Sequence, residues 1–366
     1  MKGFTEQPLG NVLDFYDHQR VPLSSLERDT RQGEYRYYGA QGVIDHIDAY
    51  IFDGQFILIA EDGANLVTRN EPVAFLVDGQ FWVNNHAHVV RGKPGVADDF
   101  YITALLNSLN IAGFITGVAQ PKLSQQNLKQ IKVSLPEYPT QREIADVISA
   151  YDELMENNRR RMGLLEESAR LLYQEWFVRL RFPGHEHARL TDGIPEGWER
   201  VPFEDALVLQ RGFDLPEREW QEGDFPICGS TGIIGHHKEP KVKGPGVFTG
   251  RSGSLGVVNY VEDAYWPHNT ALWVREFKTV TPLFALFLLR EMNLEQYNGG
   301  VSVPTLDRKA VHRVPVLIPP RKFITLFDEL LTPMFAQLRN LRQQNQKLRA
   351  ARDLLLPRLM SGEIAV

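Results

Sequence analysis

The chain repeats itself, and this duplication constrains its fold more than any other feature. The segment 38–44, Tyr-Gly-Ala-Gln-Gly-Val-Ile, corresponds to Cys-Gly-Ser-Thr-Gly-Ile-Ile at 228–234, an offset of 190 residues. The offset falls to 184 where Trp82 matches Trp266, and further along it is 183. A long-period repeat of this kind indicates that one structural unit is built twice.

The offset of 183 residues then stays constant to the end of the chain, where Leu171 and Leu172 correspond to Leu354 and Leu355. Each copy contains short apolar runs bounded by Gly, Asp or Asn, which predict strands, followed by a long helical stretch. The predicted strands include 56–60, 73–77, 247–249 and 272–274, and the predicted helices inside the copies are 101–109 and 282–292. Each copy is therefore expected to be a mixed α+β unit.

Both long helical stretches carry a heptad. Apolar residues from Ile144 to Trp176, and at the aligned positions from Leu331 to Leu359, are spaced alternately four and three apart. A 3.5-residue period keeps one seam turned toward a partner helix and predicts a coiled coil. The alternative is that each helix packs only on its own unit. The predicted seam includes Asn158, Leu165, Leu172, Leu341, Asn345 and Leu348.

One asparagine lies in each apolar stripe. A polar residue buried in a seam fixes the register of the helices at a cost in stability. We hypothesise that Asn158 and Asn345 set the alignment of the two helices. They would have no such role if they faced solvent near an imperfect end of the seam.

The fold class expected from these patterns is α+β: two mixed units separated by two long antiparallel coiled-coil helices, with an internal pseudo-twofold repeat. A length of 366 residues suits two or more domains. The expected segments are the first unit at 1–137, the first helix at 138–182, the second unit at 183–320 and the second helix at 321–366. About 35 residues of helix would span roughly 50 Å, the length of a spacer.

The composition and the apolar segments of the chain indicate the cellular compartment in which it is expected. Hydrophobic residues make up 43% of the chain and charged residues 23%, as in ordinary folded proteins. The single cysteine, Cys228, rules out an internal disulfide and argues against a cysteine-rich zinc site. The start lacks a secretion signal, and no run approaches the roughly 20 apolar residues that cross a bilayer. We therefore expect a cytoplasmic protein with no membrane contact.

The net charge of −6, from 40 basic and 46 acidic residues, limits binding to DNA. Neutralisation of phosphates by Lys and Arg supplies most of the affinity that does not depend on sequence. DNA binding by this chain alone should therefore be weak or should need basic partners.

The richest local pattern is Gly244–Gly256, Gly-Pro-Gly-Val-Phe-Thr-Gly-Arg-Ser-Gly-Ser-Leu-Gly. Glycines permit close approach of the backbone to a ligand, and Arg251 with its hydroxyl neighbours suits phosphate oxygens or a guanine edge. The stretch lacks the Gly-Lys-Ser/Thr ending of a nucleotide-binding loop. The plain alternative is a tight hairpin.

Two further loops recur in both copies. Asn84, Asn85 and His86 follow Trp82, and the equivalent residues at 268–270 follow Trp266. Asparagine can bond adenine bidentately, although such residues can equally bond their own turn. The third loop occupies 117–122 and 299–305. The candidate DNA-binding residues are Tyr38, Gln41, Asn65, Asn84, Asn85, His86, Gln120, Lys122, Ser230, Thr231, Lys243, Arg251, Ser252, Ser254, His268, Asn269, Thr270, Ser302 and Thr305.

No pattern indicates a catalytic centre. Transfer of a methyl group to a base amine would call for Asn/Asp-Pro-Pro-aromatic, and Ile-Pro-Pro-Arg at 318–321 has neither end right. The histidine pairs His236 with His237 and His86 with His88 lack cysteine or spaced carboxylate companions. We expect no catalytic residue and no metal ligand in this chain.

The order of unit, long helix, unit, long helix resembles the specificity subunits of type I restriction-modification systems over essentially the whole chain. The local matches are Gly-Ser-Thr-Gly at 229–232, Gly-Arg-Ser-Gly-Ser at 250–254, Leu-Ile-Pro-Pro at 317–320, Gln-Arg-Glu-Ile at 141–144 and Leu-Leu-Leu-Pro-Arg-Leu-Met-Ser-Gly-Glu at 354–363. The resemblance implies that each unit is a target recognition domain that reads half of a split double-stranded DNA site. The helices would fix the distance between the halves.

The resemblance also implies partners. Two modification (adenine methyltransferase) subunits would dock on the chain and restriction (translocase) subunits would join them. S-adenosylmethionine, ATP and Mg²⁺ would then belong to those partners, and this chain would hold no cofactor. The first unit departs from the pattern, because Glu61 and Asp62 stand where the second has Arg251 and Ser252. A phosphate-facing role of that loop is therefore in doubt, although an acidic side chain can accept from cytosine.

Other protein classes remain open at this point. A fused restriction-modification enzyme needs a methyltransferase domain, for which no stretch of the chain is left. A coiled-coil adaptor that binds only proteins would suit the acidic charge, and the specificity subunit of a related two-subunit enzyme would share the same pattern. DNA binding that falls steeply with salt would exclude the adaptor.

Overall fold

The computed structural model describes residues 3–117, 119–300 and 302–366. The chain divides into two compact units: the first joins the chain up to Asn158 to Gln343–Val366, and the second is Arg159–Arg342. The long helices begin at Tyr138 and Arg321, where the sequence predicted them. Each compact unit, however, combines one globular part with portions of both helices, a grouping that cuts across the four predicted segments.

The first copy alternates short strands and helices before its long helix. Its elements are β1 (Thr5–Pro8), α1 (Leu9–Val12), β2 (Leu13–Phe15), α2 (Ser25–Asp29), β3 (Gln32–Gly39), β4 (Gly42–Ile47), β5 (Phe52–Asp53), β6 (Phe56–Ala60), α3 (Asn65–Thr68), β7 (Ala74–Val77), β8 (Gln80–Val83), β9 (Ala87–Gly92), α4 (Asp99–Ser108), α5 (Gln125–Gln130), β10 (Lys132–Leu135) and α6 (Tyr138–Tyr173). One sheet has the order β2-β9-β6-β7, a second has the order β4-β3-β8-β5, and β1 pairs with β10.

The second copy follows the same plan after a π-helical turn at Gln174–Val178. Its elements are β11 (Leu190–Thr191), β12 (Ile194–Pro195), β13 (Glu199–Pro202), α7 (Phe203–Ala206), β14 (Leu207–Arg211), β15 (Phe225–Gly229), β16 (Gly232–His237), β17 (Gly246–Gly250), β18 (Val258–Val261), β19 (Trp266–Pro267), β20 (Ala271–Phe277), α8 (Pro282–Glu291), α9 (Arg308–His312), β21 (Pro315–Ile318) and α10 (Arg321–Met360). The sheet orders are β14-β20-β17-β18 and β16-β15-β19, with β13 paired to β21 and β11 to β12.

The strand pairing confirms the sequence repeat and its change of offset. Tyr37 on β3 lies in parallel register with Trp82 on β8, and Ile227 on β15 lies in parallel register with Trp266 on β19. The first members of the two pairs are 190 residues apart and the second members 184. The predicted strands and internal helices are confirmed to within three residues at their ends.

Capping residues define the starts of the two internal helices. The Asp98 carboxylate accepts the N–H of Tyr101 at 2.9 Å before α4. Before α8, the Thr281 hydroxyl accepts the N–H of Phe284 at 3.4 Å, and Pro282 occupies the first turn. Both arrangements satisfy donors that a helix start leaves unpaired.

Each unit has its own core, to which the long helices contribute. In the first, Ile57 of β6, Tyr101 of α4 and Leu128 of α5 are buried together with Ile148 of α6 and Leu359 of α10.

The core of the second unit is aromatic. Phe177 lies 4.9 Å from Phe284 and 5.1 Å from Phe327, measured between ring centroids. Edge-to-face pairs of this kind add to the stabilisation that burial supplies.

The long helices run antiparallel within each unit, as predicted. In the first unit Asp152 contacts Arg352 at 2.5 Å and Asn158 contacts Asn345 at 2.9 Å, so positions rise on α6 as they fall on α10. In the second unit the Glu166–Arg342 ion pair at 2.8 Å and the packing of Tyr173 on Phe327 show the same direction. The predicted seam positions Asn158, Leu165, Leu172, Leu341, Asn345 and Leu348 are all buried or half-buried.

Within the residues that the structure describes, no helix is both long enough and apolar enough to cross a membrane.

Candidate nucleic-acid interface

Three loops meet in the first unit through backbone hydrogen bonds centred on Glu61. Its N–H donates to the carbonyl of His86 at 2.9 Å, and its own carbonyl accepts the N–H of Leu123 at 2.8 Å. The N–H of Gly63 donates to the carbonyl of Pro121 at 3.1 Å. The loop after β6, the loop between β8 and β9 and the segment before α5 are thereby joined.

The second unit repeats this frame around Arg251. The Arg251 N–H donates to the carbonyl of Thr270 at 2.8 Å, and the Arg251 carbonyl accepts the N–H of Leu306 at 2.9 Å. The N–H of Gly253 donates to the carbonyl of Pro304 at 2.9 Å. The two frames have the same pattern of backbone hydrogen bonds, whereas the central side chain is acidic in one and basic in the other.

Glu61 is balanced by two cations. Its carboxylate accepts from Arg20 at 2.8 Å and lies 3.2 Å from Nζ of Lys122. Arg20 also donates to the carbonyl of Ala87 at 2.7 Å, which ties the pair to β9. The negative charge of Glu61 is therefore largely neutralised within the protein. Lys122 is exposed, but it already forms an ion pair with Glu61.

Asp17 anchors the same network from the side. Its carboxylate accepts from Nδ1 of His88 at 2.7 Å and from the N–H of Val89 at 2.8 Å, while Nε2 of His88 faces the carbonyl of Leu123 at 2.8 Å. Burial acts to raise the pKa of Asp17, but the bonds from His88 and Val89 and the charge of Arg20 outweigh it and hold the pKa below its ordinary value.

In the second unit, the loop between β17 and β18 carries the guanidinium group of Arg251. Nε of Arg251 donates to the carbonyl of Asn269 at 2.8 Å, which fixes the half-buried side chain beside the loop between β19 and β20. The Asp214 carboxylate lies close to the Asn269 amide and near the Arg251 guanidinium. The amide of Asn269 bonds the Asp214 carboxylate and lowers its pKa, and the charges of Arg211, His268 and Arg251 add to this effect.

The glycine-rich stretch 244–256 forms the hairpin that the sequence left open as an alternative. β17 and β18 are antiparallel neighbours, and Arg251 and Ser252 lie in the loop that joins them. A Cβ on Gly250 would collide with the carbonyl of Ser254, so only glycine fits at this position.

Most of the predicted DNA-binding residues are accessible in the structure. The exposed ones are Gln41, Asn85, His86, Gln120, Lys122, Thr231, Lys243, Ser254 and Ser302, and the half-buried ones are Ser230, Arg251, Ser252, His268, Asn269, Thr270 and Thr305. Val118 and Val301, inside the third pair of loops, lie outside the described residues. The contacts of these residues with DNA stay predictions.

Three predicted residues are corrected by the structure, because they are buried and serve the fold. Tyr38 packs on Phe81 in the core, and burial raises the pKa of its hydroxyl. The amide of Asn65 exchanges two 2.9 Å hydrogen bonds with the backbone of Glu71. Asn84 accepts the N–H of His86 at 2.8 Å, which is the bond to its own turn that the sequence allowed.

Sequence reasoning missed Arg20, Asp17 and Asp214, which position the loops. Arg20 is 41 residues from Glu61, and Asp17 is 71 residues from His88. No local pattern marks residues whose partners are so distant. Among the described residues, no group of three His, Cys, Asp or Glu side chains is placed to hold a metal ion.

A family model described as "Type I restriction modification DNA specificity domain" matches residues 1–167 and again 195–347. The chain belongs to this family. The two matches fall on the two copies of the repeat, and DNA recognition is the function of the family.

Individual proteins that resemble this chain are also type I specificity subunits. The MjaIX specificity subunit of Methanocaldococcus jannaschii is 24% identical over 83% of this chain and 78% of its own length. A Haemophilus influenzae protein described as a type I restriction enzyme specificity subunit, S.HindORF215P, is 35% identical over 40% of this chain and 37% of its own length. The crystal structure of the type I S subunit from M. genitalium covers 97% of this chain and 96% of its own, with 18% identity and a TM-score of 0.68, and thus shares its fold.

Proposed function

We propose that this chain is the DNA-reading subunit of a type I restriction-modification complex and that each unit contacts one half of a split target. The observation that carries the proposal is the pair of identical backbone frames around Glu61 and Arg251. A reader of two different half-sites needs one scaffold presented twice with different side chains. These two frames have that property.

The loops that follow Glu61 and Arg251 carry different chemical groups, and they should therefore contact different groups on the DNA. The guanidinium of Arg251 can donate to phosphate oxygens or to the O6 and N7 atoms of guanine. In the first unit Asp62 bonds His86 at 2.7 Å, and this pair offers an acceptor to the amino group of cytosine or adenine.

In this proposal the basic charge that DNA binding requires comes partly from partners, since the chain is acidic. We assign the methyl-transfer chemistry, with S-adenosylmethionine, to two modification subunits, and ATP and Mg²⁺ to restriction subunits. This chain itself carries no catalytic step. The two long helices set the spacing between the half-sites.

The docking of two modification subunits is supported by two equivalent leucines. Leu171 on α6 is 42% exposed and Leu354 on α10 is 67% exposed, and the repeat places these two leucines at equivalent positions. Exposed apolar residues that recur in a duplicated chain suit two copies of one apolar partner surface. In the second unit Leu164 and Val178 extend the stripe at heptad spacing.

The proposal is tested by measuring DNA binding against salt, with the modification subunits present. We expect tight binding to one split sequence, with an affinity that falls steeply as salt rises. Binding that does not depend on salt, or no binding, would favour the protein-only adaptor. Cleavage of DNA with the modification subunits alone, without a restriction subunit, would indicate the related two-subunit enzyme.

Arg251 provides the sharper test. If it contacts phosphate, Arg251→Ala should weaken all sequences alike and reduce the salt slope by about one; if it reads a base, specificity should relax at one position. Arg200→Ala, which removes the same charge from the exposed face of β13, is the matched control. No change with Arg251→Ala would remove this residue from the interface.

The docking surface is tested separately by co-purification. Leu171→Ser and Leu354→Ser should each lower the number of bound modification subunits from two to one, and the double variant should bind neither. Leu190→Ser, which replaces an exposed leucine on β11 and not on either long helix, is the control. Full binding by the double variant would contradict this site.

A further inference from the structure

The β3–β4 and β15–β16 hairpins carry a bulge at the same position in both units. They lie beside the loops that contain residues 84–86 and 268–270, which are called the recognition loops below. In the first, Tyr37 pairs with Asp45 and Tyr38 with Val43, so Ile44 lies between two paired positions of β4. In the second, Ile227 pairs with Gly235 and Cys228 with Ile233, which leaves Ile234 in the equivalent place on β16. A bulge redirects a side chain relative to the regular alternation of a strand.

Both bulge residues are exposed isoleucines. Ile44 is 53% exposed and Ile234 is 39% exposed. A single exposed apolar residue needs no explanation, since much of any protein surface is apolar. The same β-branched residue exposed at the same bulge in both copies indicates a contact that both units make.

Distances to the neighbouring glycines show which face the isoleucines share. A Cβ placed on Gly39 would lie 3.2 Å from Cγ2 of Ile44 and 3.6 Å from Nδ2 of Asn84. The isoleucine therefore lies over the glycine, on the face where the loop between β8 and β9 begins. That loop continues into Asn85 and His86, which are exposed candidate readers.

The second unit repeats this arrangement. A Cβ on Gly229 would lie 2.9 Å from Cγ2 of Ile234 and 3.3 Å from Oγ1 of Thr270. Thr270 is half-buried and stands in the loop whose carbonyl fixes Arg251. Both isoleucines thus flank the polar side chains of the candidate interface.

We propose that Ile44 and Ile234 contact the 5-methyl groups of thymine bases, one in each half of the target. The inference rests on the proposed DNA-reading function. The major groove admits a two-stranded β-ribbon, and the thymine methyl group is its apolar feature. The exposed Gln41 and Thr231 at the hairpin tips supply polar groups to adjacent base edges.

The preceding residues offer a matched control. Val43 and Ile233 are also exposed, but they pair with Tyr38 and Cys228, whose side chains enter the core. Ile233 lines a recess of about 430 Å³ in the second unit together with Phe335. Their side chains therefore face away from the recognition loops.

The experiment uses the complex with its modification subunits and a duplex whose sequence comes from mapping methylated adenines. Each thymine of the target is replaced in turn by deoxyuridine, which lacks only the methyl group. We expect one thymine in each half at which the replacement weakens binding about fourfold, from the loss of one buried methyl group.

The Ile234→Ala complex should bind thymine and deoxyuridine equally in one half, and the Ile44→Ala complex should do so in the other. Ile233→Ala and Val43→Ala should keep the preference of the wild-type complex. Target binding without any dependence on a methyl group, or a preference that survives both isoleucine variants, would overturn the inference alone. Failure of the wild-type complex to bind any duplex would overturn the proposed function as well.

Discussion

Asn158 donates from Nδ2 to Oδ1 of Asn345 at 2.9 Å across the antiparallel helices of the first unit. Nδ2 of Asn345 in turn donates to the backbone carbonyl of Met155 at 3.1 Å. The two asparagines that interrupt the two apolar stripes are therefore partners. Because a shifted register would separate them, the pair can fix the alignment of the helices.

Because the two asparagines are hydrogen-bonded to each other, replacing only one of them by leucine should destabilise the protein. Asn158→Leu leaves Oδ1 of Asn345 without its donor, at a cost of about 1–3 kcal/mol. The double variant with leucine at both positions removes the unpaired group and should unfold at a higher temperature than the wild type. Thermal unfolding measures this difference.

The double variant should also lose uniqueness of assembly, seen as more than one species by sedimentation. An assembly that remains single, together with a melting temperature below that of the single variants, would contradict the role of the pair in setting register.

The lowered pKa of Asp17 predicts that this residue stabilises the fold to an extent that depends on pH. Its pKa is held below the ordinary value in the folded state, so it stabilises the fold above that ordinary value and loses this effect as pH falls through the folded pKa. Asp17→Asn should lower the free energy of unfolding by about 1–3 kcal/mol at pH 7. Urea unfolding of both proteins at pH 7 and pH 3 should show the difference shrinking at the lower pH.

Asp99 is the control of opposite sign. Burial raises its pKa, so its ionised form costs stability at neutral pH. Asp99→Asn should therefore be neutral or stabilising at pH 7. Equal losses for both variants at pH 7 would show that the charge network around Asp17 has no special part in the fold.

Asn65 and Asn85 separate a structural asparagine from a candidate reader. Asn65→Ala loses both bonds to Glu71 and should lower the melting temperature, with a loss of about 1–3 kcal/mol, while the methylated sequence stays the same. Asn85→Ala removes an exposed side chain and should leave stability within about 0.5 kcal/mol. Thermal unfolding and methylation mapping distinguish them, and a changed target with Asn65→Ala would refute its assignment to the fold.

The architecture was predictable from sequence because the signals are periodic or duplicated. The 3.5-residue spacing between Ile144 and Trp176 reports directly on the seam, and the matched tryptophans Trp82 and Trp266 report on equivalent parallel strand pairs. Signals of this kind do not depend on the surroundings of any one residue.

The roles of single polar residues were less predictable. Asn65 and Asn85 look alike in sequence, yet only the burial of the first reveals that it holds a turn. The neutralisation of Glu61 depends on Arg20, 41 residues away, and is set by how β6 and the segment after β2 come together. Such contacts arise from tertiary packing, which local patterns do not encode.

The central claim is that each unit reads its own half of one target. It is tested most directly by measuring the affinity of the complex for every single-base substitution of that target, for the wild type, for Arg251→Ala and for Asp62→Ala. The account predicts that Arg251→Ala changes the profile within one half only and Asp62→Ala within the other half only. Changes from both variants in the same half would contradict it.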